Sequence, residues 1–186
     1  MTFKNVLQGN YTSSPRDFSS NITRLEDLSM IFLRRYSQGQ TEQAHNATVD
    51  AMGCLQNIVL SFLEERDSRR AKLAYDGSPF NLAMKEVTAK MVQPVTDQDQ
   101  EAVCHAGAGN GRLPLHLGTP VPIHLYSTLT KLKHRHPHLI NFRVEAGKHI
   151  LVICPVDVGR TPGPDSVVEF DVELFCQRCH AAAGSL

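Results

Sequence analysis

Apolar residues recur at three- and four-residue steps through the first half of this chain and at two-residue steps in its last third. A chain that changes period once in this way is confined to few fold classes. Ser14-Pro15-Arg16-Asp17 supplies an N-cap, a proline at the first helical position and an acid in the first turn, so a helix is expected to start there. Behind it Phe18, Ile22, Leu25, Leu28, Phe32 and Tyr36 form one buried face, and Gly39 ends the run. Thr41-Glu42 opens a second helix with Val49, Met52, Leu55, Val59, Phe62 and Leu63 as its stripe, a solvated end at Glu64, Glu65, Arg66, Arg69 and Arg70, and a reach towards Tyr75. Asp76-Gly77 breaks it. Ser78-Pro79 repeats the cap-plus-proline start for a third helix, with Phe80, Met84, Val87 and Met91 on one face and Pro94 as its stop.

Residues 94 to 101 are acidic and turn-rich and residues 106 to 112 are glycine-rich, so 94–112 reads as a connector. Beyond it the period is two. Ile140, Phe142 and Val144 alternate with Asn141, Arg143 and Glu145, Ala146-Gly147 makes a turn, and residues 148 to 158 complete a hairpin. After a turn over 159–165, Val168, Phe170, Val172, Leu174 and Cys176 alternate with Glu169, Asp171 and Glu173, which predicts a last strand with one apolar and one exposed acidic face. Helices followed by antiparallel strands give an α+β class: a polar N-terminus over 1–14, a helical region over 15–93, the connector over 94–112, and a β-rich meander over 113–186.

Nineteen basic and 19 acidic residues cancel, so any binding of nucleic acid or anionic lipid has to use a local patch. No stretch has the 18 or so apolar residues that span a bilayer, and no apolar signal core follows Met1. A soluble protein of the cytoplasm or nucleus is expected. Five cysteines at scattered positions make poor material for a disulfide framework and fit a reducing compartment. The sequons at Asn10, Asn21 and Asn46 carry weight only in the secretory pathway, and two of them fall in expected helices.

The one tight cysteine pair is Cys176-Gln177-Arg178-Cys179, followed by His180. Two thiolates at this spacing can share a zinc ion, with His180, or Cys104 and His105 from the connector, as candidate further ligands. The competing reading is two small residues at a strand end, with Cys176 in the apolar row. Haem attachment needs a second axial ligand and a helical pocket, and a thioredoxin-like site needs a helix after the motif; only six residues follow His180. Cys54 and Cys154 read as core.

The basic run Lys131-Leu132-Lys133-His134-Arg135-His136-Pro137-His138, if extended, puts its three histidines on one face, where they either gather a metal or line a solvated loop. Lys131, Lys133 and Arg135, with Arg66, Arg69 and Arg70, are the candidate phosphate contacts of a nucleic-acid-binding protein. No aromatic residue is interleaved for base stacking. Gly107-Ala108-Gly109-Asn110-Gly111 is expected to act as a flexible hinge, because Leu113-Pro114 leaves no helix N-terminus to meet a phosphate. No catalytic motif is present, and no catalytic residue is assigned.

These features favour a non-enzymatic interaction or assembly protein that binds a partner or itself through amphipathic helices, Met30, Met52, Met84 and Met91 offering adaptable contacts. The alternative is a nucleic-acid-binding regulator with a C-terminal zinc. The stretch Gly111-Arg112-Leu113-Pro114-Leu115-His116-Leu117-Gly118-Thr119-Pro120, followed by paired strands, resembles a part of rhabdovirus matrix proteins. Neither a basic N-terminal tail nor a Pro-Pro-x-Tyr motif accompanies it, and no residue roles carry over. The resemblance implies an assembly role, that of a viral matrix-like structural protein.

Overall fold

A computed structural model describes residues 15–72, 74–156 and 165–186. The N-terminal segment over 1–14, its sequon at Asn10 and most of the turn expected over 159–165 lie outside them. The first two expected helices form as α1 (Pro15–Ser37) and α2 (Thr41–Arg70). Between them Gly39 takes φ +71°, a left-handed conformation that a β-carbon disfavours, so it turns the chain back and the helices pack as a hairpin. Phe18 meets Phe62 edge-on at 4.8 Å, and Phe62 stacks on Phe80 at 6.3 Å. Val49, assigned to the buried stripe of α2, is 57% exposed instead.

The third helix is short. Ser78 Oγ accepts from the Asn81 N–H as expected of the cap, but α3 covers only Pro79–Met84, and Val87–Val92 is strand β1. Val87 and Met91 fit a helical step, yet Val87 is exposed while Thr88, Ala89 and Val92 are buried along with Met91, which a strand with two covered faces permits and a one-sided helix does not. The connector contains a helix, α4 (Asp97–Cys104), started by a capping box in which Thr96 Oγ accepts from the Asp99 N–H and the Asp99 carboxylate accepts from the Thr96 N–H. A 3-10 turn at Leu115–Leu117 leads into β2 (Val121–His124), and α5 (Leu125–Lys133) follows directly.

The expected hairpin is β3 (Arg135–Glu145) and β4 (Lys148–Pro155), joined through Ala146 and Gly147 at φ +50° and +77°. Strand β5 (Val167–Asp171) precedes α6 (Val172–Ala183). The five strands run in the order β2-β1-β5-β4-β3, each antiparallel to its neighbour. The molecule is α+β, with N-terminal helices followed by strands.

The pleat sorts residues between two cores. Leu151, Ile153, Val168 and Phe170 face α1, α2, α3, α5 and α6. Val92, Val152, Cys154 and Val167 face Val95, Val103 of α4 and Leu113. Among the described residues no helix is long and apolar enough to cross a membrane.

Candidate functional site

The C-terminal motif is helical. Asp171 is not on an exposed acidic face: its carboxylate accepts from the Glu173 N–H at 3.0 Å as the cap of α6 and pairs with Lys148 at 2.8 Å. Glu169 is likewise occupied, by Arg143 at 2.6 Å. The two-residue period therefore ends at Asp171, and Val172, Phe175, Cys176, Cys179 and Ala182 turn into the core at helical spacing. The last strand expected to reach Cys176 is thus five residues shorter. Cys176 and Cys179 are fully buried. Burial pushes both thiols up, Glu26 adding to it, so each stays protonated in the folded chain.

The other expected ligands sit apart. His180 lies 3.5 Å from the Glu26 carboxylate on α1. Cys104 ends α4 in the smaller core, and His105 is the exposed residue that caps it. Among the described residues no three His, Cys, Asp or Glu side chains are gathered to hold a metal ion. The histidine run is divided as well. His134 caps α5, while His136 and His138 lie in β3 with rings 5.9 Å apart, so the three share no strand face.

The structure splits the basic set between roles. The Arg66 guanidinium lies 3.8 Å over the Tyr126 ring of α5 and bonds Asp67 at 2.9 Å. Arg69 is paired with Glu65 and reaches the Leu186 carbonyl at 3.2 Å. Arg135 is half-buried and donates to the Leu132 carbonyl at 2.8 Å; burial pulls it below the usual arginine range. Arg70 and Lys133 are exposed, and Lys131 is half-buried on α5. Arg66, Arg69 and Arg135 thus make contacts within the fold, which weakens a phosphate-binding surface.

Two polar pairs escape a reading along the sequence. Ser29 Oγ and His149 Nδ1 are 3.0 Å apart in the larger core, where the His149 ring stacks on Phe32 at 4.2 Å. Burial lowers His149 from 6.5 to about 4, so it is neutral at pH 7. The pair borders an apolar cavity of about 20 Å³ among Leu25, Met52, Leu55 and Leu151, room for roughly one water-sized group. The contact satisfies both polar groups inside an otherwise apolar core.

The second pair lies across the sheet, where Cys104 Sγ and Cys154 Sγ are 3.2 Å apart. Several side chains hold α4 in register there. Gln100 Nε2 donates to the Pro155 and Ser166 carbonyls at 3.1 and 3.0 Å. Asn141 Nδ2 lies within 3.1 to 3.3 Å of the Val103, Cys104 and Gly107 carbonyls, which meets the last carbonyls of α4. The glycine loop is not a free hinge. Gly111 donates to the Phe142 carbonyl at 3.0 Å, and a β-carbon there would meet Asn141 Cβ at 2.9 Å.

Comparison of the chain with protein-family models, with curated proteins and with solved structures gives no match.

Proposed function

We propose that the chain is a non-enzymatic assembly protein that associates with further copies of itself. The observation that carries this reading is a set of large apolar side chains left in water around one end of the sheet. Leu82 of α3, Val87 of β1, Leu115 and Leu117 of the 3-10 turn, and Val121 of β2 are all exposed, Leu115 at 64%. They sit on two stretches of chain, 82–87 and 115–121, brought alongside each other by the β1–β2 pair, where Met91 is opposite Val121 and Val87 opposite His124. Clustered exposed apolar residues mark association surfaces, whereas single ones need no explanation.

Strand addition is not the route. The edge strand β2 contains Pro122, which has no N–H to offer an added strand, and the glycine loop covers part of the other edge at Phe142. Contact through side chains remains. The helical hairpin contributes less than its pattern suggests: Met84 and Met91 are core, Met52 lines the cavity, and of the four methionines Met30 alone is exposed. The stretch that resembles rhabdovirus matrix proteins, with its implied assembly role, supplies Leu115 and Leu117 to this surface.

Sedimentation equilibrium tests the reading. The expected result is a mass that climbs above the 20.6 kDa of one chain as concentration rises into the high micromolar range, and that stays at one chain in a Leu115→Glu, Val121→Glu variant. A monomer mass for the unaltered chain throughout would reject it. The nucleic-acid alternative ranks second because Arg66, Arg69 and Arg135 are engaged within the fold; it predicts RNA or DNA binding that falls steeply with salt.

A further inference from the structure

We propose that Cys104 and Cys154 are a peroxide-oxidised pair that closes into a disulfide between α4 and β4. The five cysteines differ sharply in access. Cys54, Cys154, Cys176 and Cys179 are buried, and Cys104 alone is partly exposed. Its sulfur is 3.2 Å from that of Cys154, a residue 50 positions away, and a disulfide needs the two to close by only about 1 Å. Neither partner drifts. Gln100 ties the middle of α4 to the carbonyls of Pro155 and Ser166, and Asn141 ties its end, so the sulfurs are held together by contacts that do not involve them.

The chemistry of the two thiols is asymmetric in the sense such a pair requires. Cys104 is half-buried and Cys154 fully buried, and the contact between them lowers the Cys104 thiol while the same contact and burial raise that of Cys154. Cys104 is therefore the one that ionises, and the thiolate is the nucleophile. It attacks one oxygen of a hydroperoxide, the O–O bond breaks, and the departing oxygen takes a proton and leaves as water or an alcohol. Cys104 is oxidised by two electrons to the sulfenic acid as the peroxide is reduced. The Cys154 sulfur then displaces the hydroxyl of that sulfenic acid, its proton leaves with the oxygen as water, and the S–S bond forms. The C-terminal motif is closed to this chemistry: burial keeps Cys176 and Cys179 protonated and out of reach of the oxidant.

The reduced full-length protein is treated with a small excess of hydrogen peroxide, alkylated in denaturant, digested without reductant and mapped by mass spectrometry. The expected product joins the Cys104 peptide to the Cys154 peptide with the loss of two hydrogens, reverts with dithiothreitol, and leaves Cys54, Cys176 and Cys179 alkylated. The cross-linked form should melt roughly 10 °C above the reduced one. In a Cys154→Ser variant Cys104 should be captured as the sulfenic acid by dimedone. Recovery of both cysteines alkylated, Cys104 stopping at the sulfinic acid in the unaltered chain, or Cys104 joined to any other cysteine would overturn the proposal. The mapping of the unaltered protein decides the matter even if the variant fails to fold.

Discussion

The two faces of the sheet are covered by different means. Towards α1, α2, α3, α5 and α6 the core is built from large side chains, among them Phe18, Phe62, Phe80, Phe170 and Phe175, and the main polar intrusion is the Ser29–His149 pair. Towards α4 the core is a few valines, Leu113 and Cys154, and what fixes the layer is a set of side-chain bonds to backbone carbonyls from Gln100 and Asn141 with the Arg143–Glu169 ion pair. Burial of area is non-directional and tolerates small displacements, whereas hydrogen bonds to particular carbonyls do not. The helical face should therefore carry most of the stability, and the α4 face most of the positional definition, including that of the cysteine pair.

The largest effect should come from the helical face. Phe62→Ala removes a ring that touches Phe18 and Phe80 in a fully buried site, and is expected to cost about 3–5 kcal/mol in chemical denaturation. A loss under about 1 kcal/mol would mean that this core does not dominate.

Acid probes the same face through His149. Its folded pKa near 4 is below the 6.5 of the unfolded chain, so between those values the unfolded state binds a proton that the folded state refuses. The contribution is fully present above pH 6.5 and is lost as pH falls towards 4, on the order of 3 kcal/mol in all. A Ser29→Ala, His149→Phe double variant removes both partners together and should flatten stability against pH in that window.

Asn141→Ala leaves the Val103, Cys104 and Gly107 carbonyls without their donor, at about 1–3 kcal/mol. It should also slow formation of the Cys104–Cys154 cross-link, which Phe62→Ala should not do beyond its effect on global stability. Thr96→Ala deletes one half of the capping box of α4 and is expected to cost about 1 kcal/mol, read from the denaturation midpoint.

Legibility in the sequence follows the same division. The helical face was open to periodicity because α1 and α2 are long, one-sided and punctuated by Gly39, and the β3–β4 hairpin was marked by strict alternation around Ala146-Gly147. Three short helices are hidden from periodicity. The box Thr96-x-x-Asp99 does announce α4, but eight residues are too few for a stripe to stand out from a turn-rich segment. The start of α6 was masked because Val168, Phe170 and Val172 run on in step into Leu174 and Cys176; the cap at Asp171 and the inward set Val172, Phe175, Cys179 and Ala182 were the countersigns. α5 was missed as part of a region read as strands, although Leu125, Leu129 and Leu132 keep helical spacing. The pairs Ser29–His149 and Cys104–Cys154 join residues 120 and 50 positions apart, and no local pattern encodes them. The Cys-x-x-Cys spacing, by contrast, is local and conspicuous, and on a helix it places two thiols on one buried face.

Native-state hydrogen exchange of the full chain, followed by peptide across a series of denaturant concentrations below the unfolding midpoint, tests the contrast between the two faces most directly. Amides of α4 should open with a lower free energy and a smaller denaturant dependence than those of α2 around Phe62, which should exchange only through global unfolding. Equal opening free energies for the two segments, merging at every denaturant concentration, would contradict the account and make the sheet and both its covers a single cooperative unit.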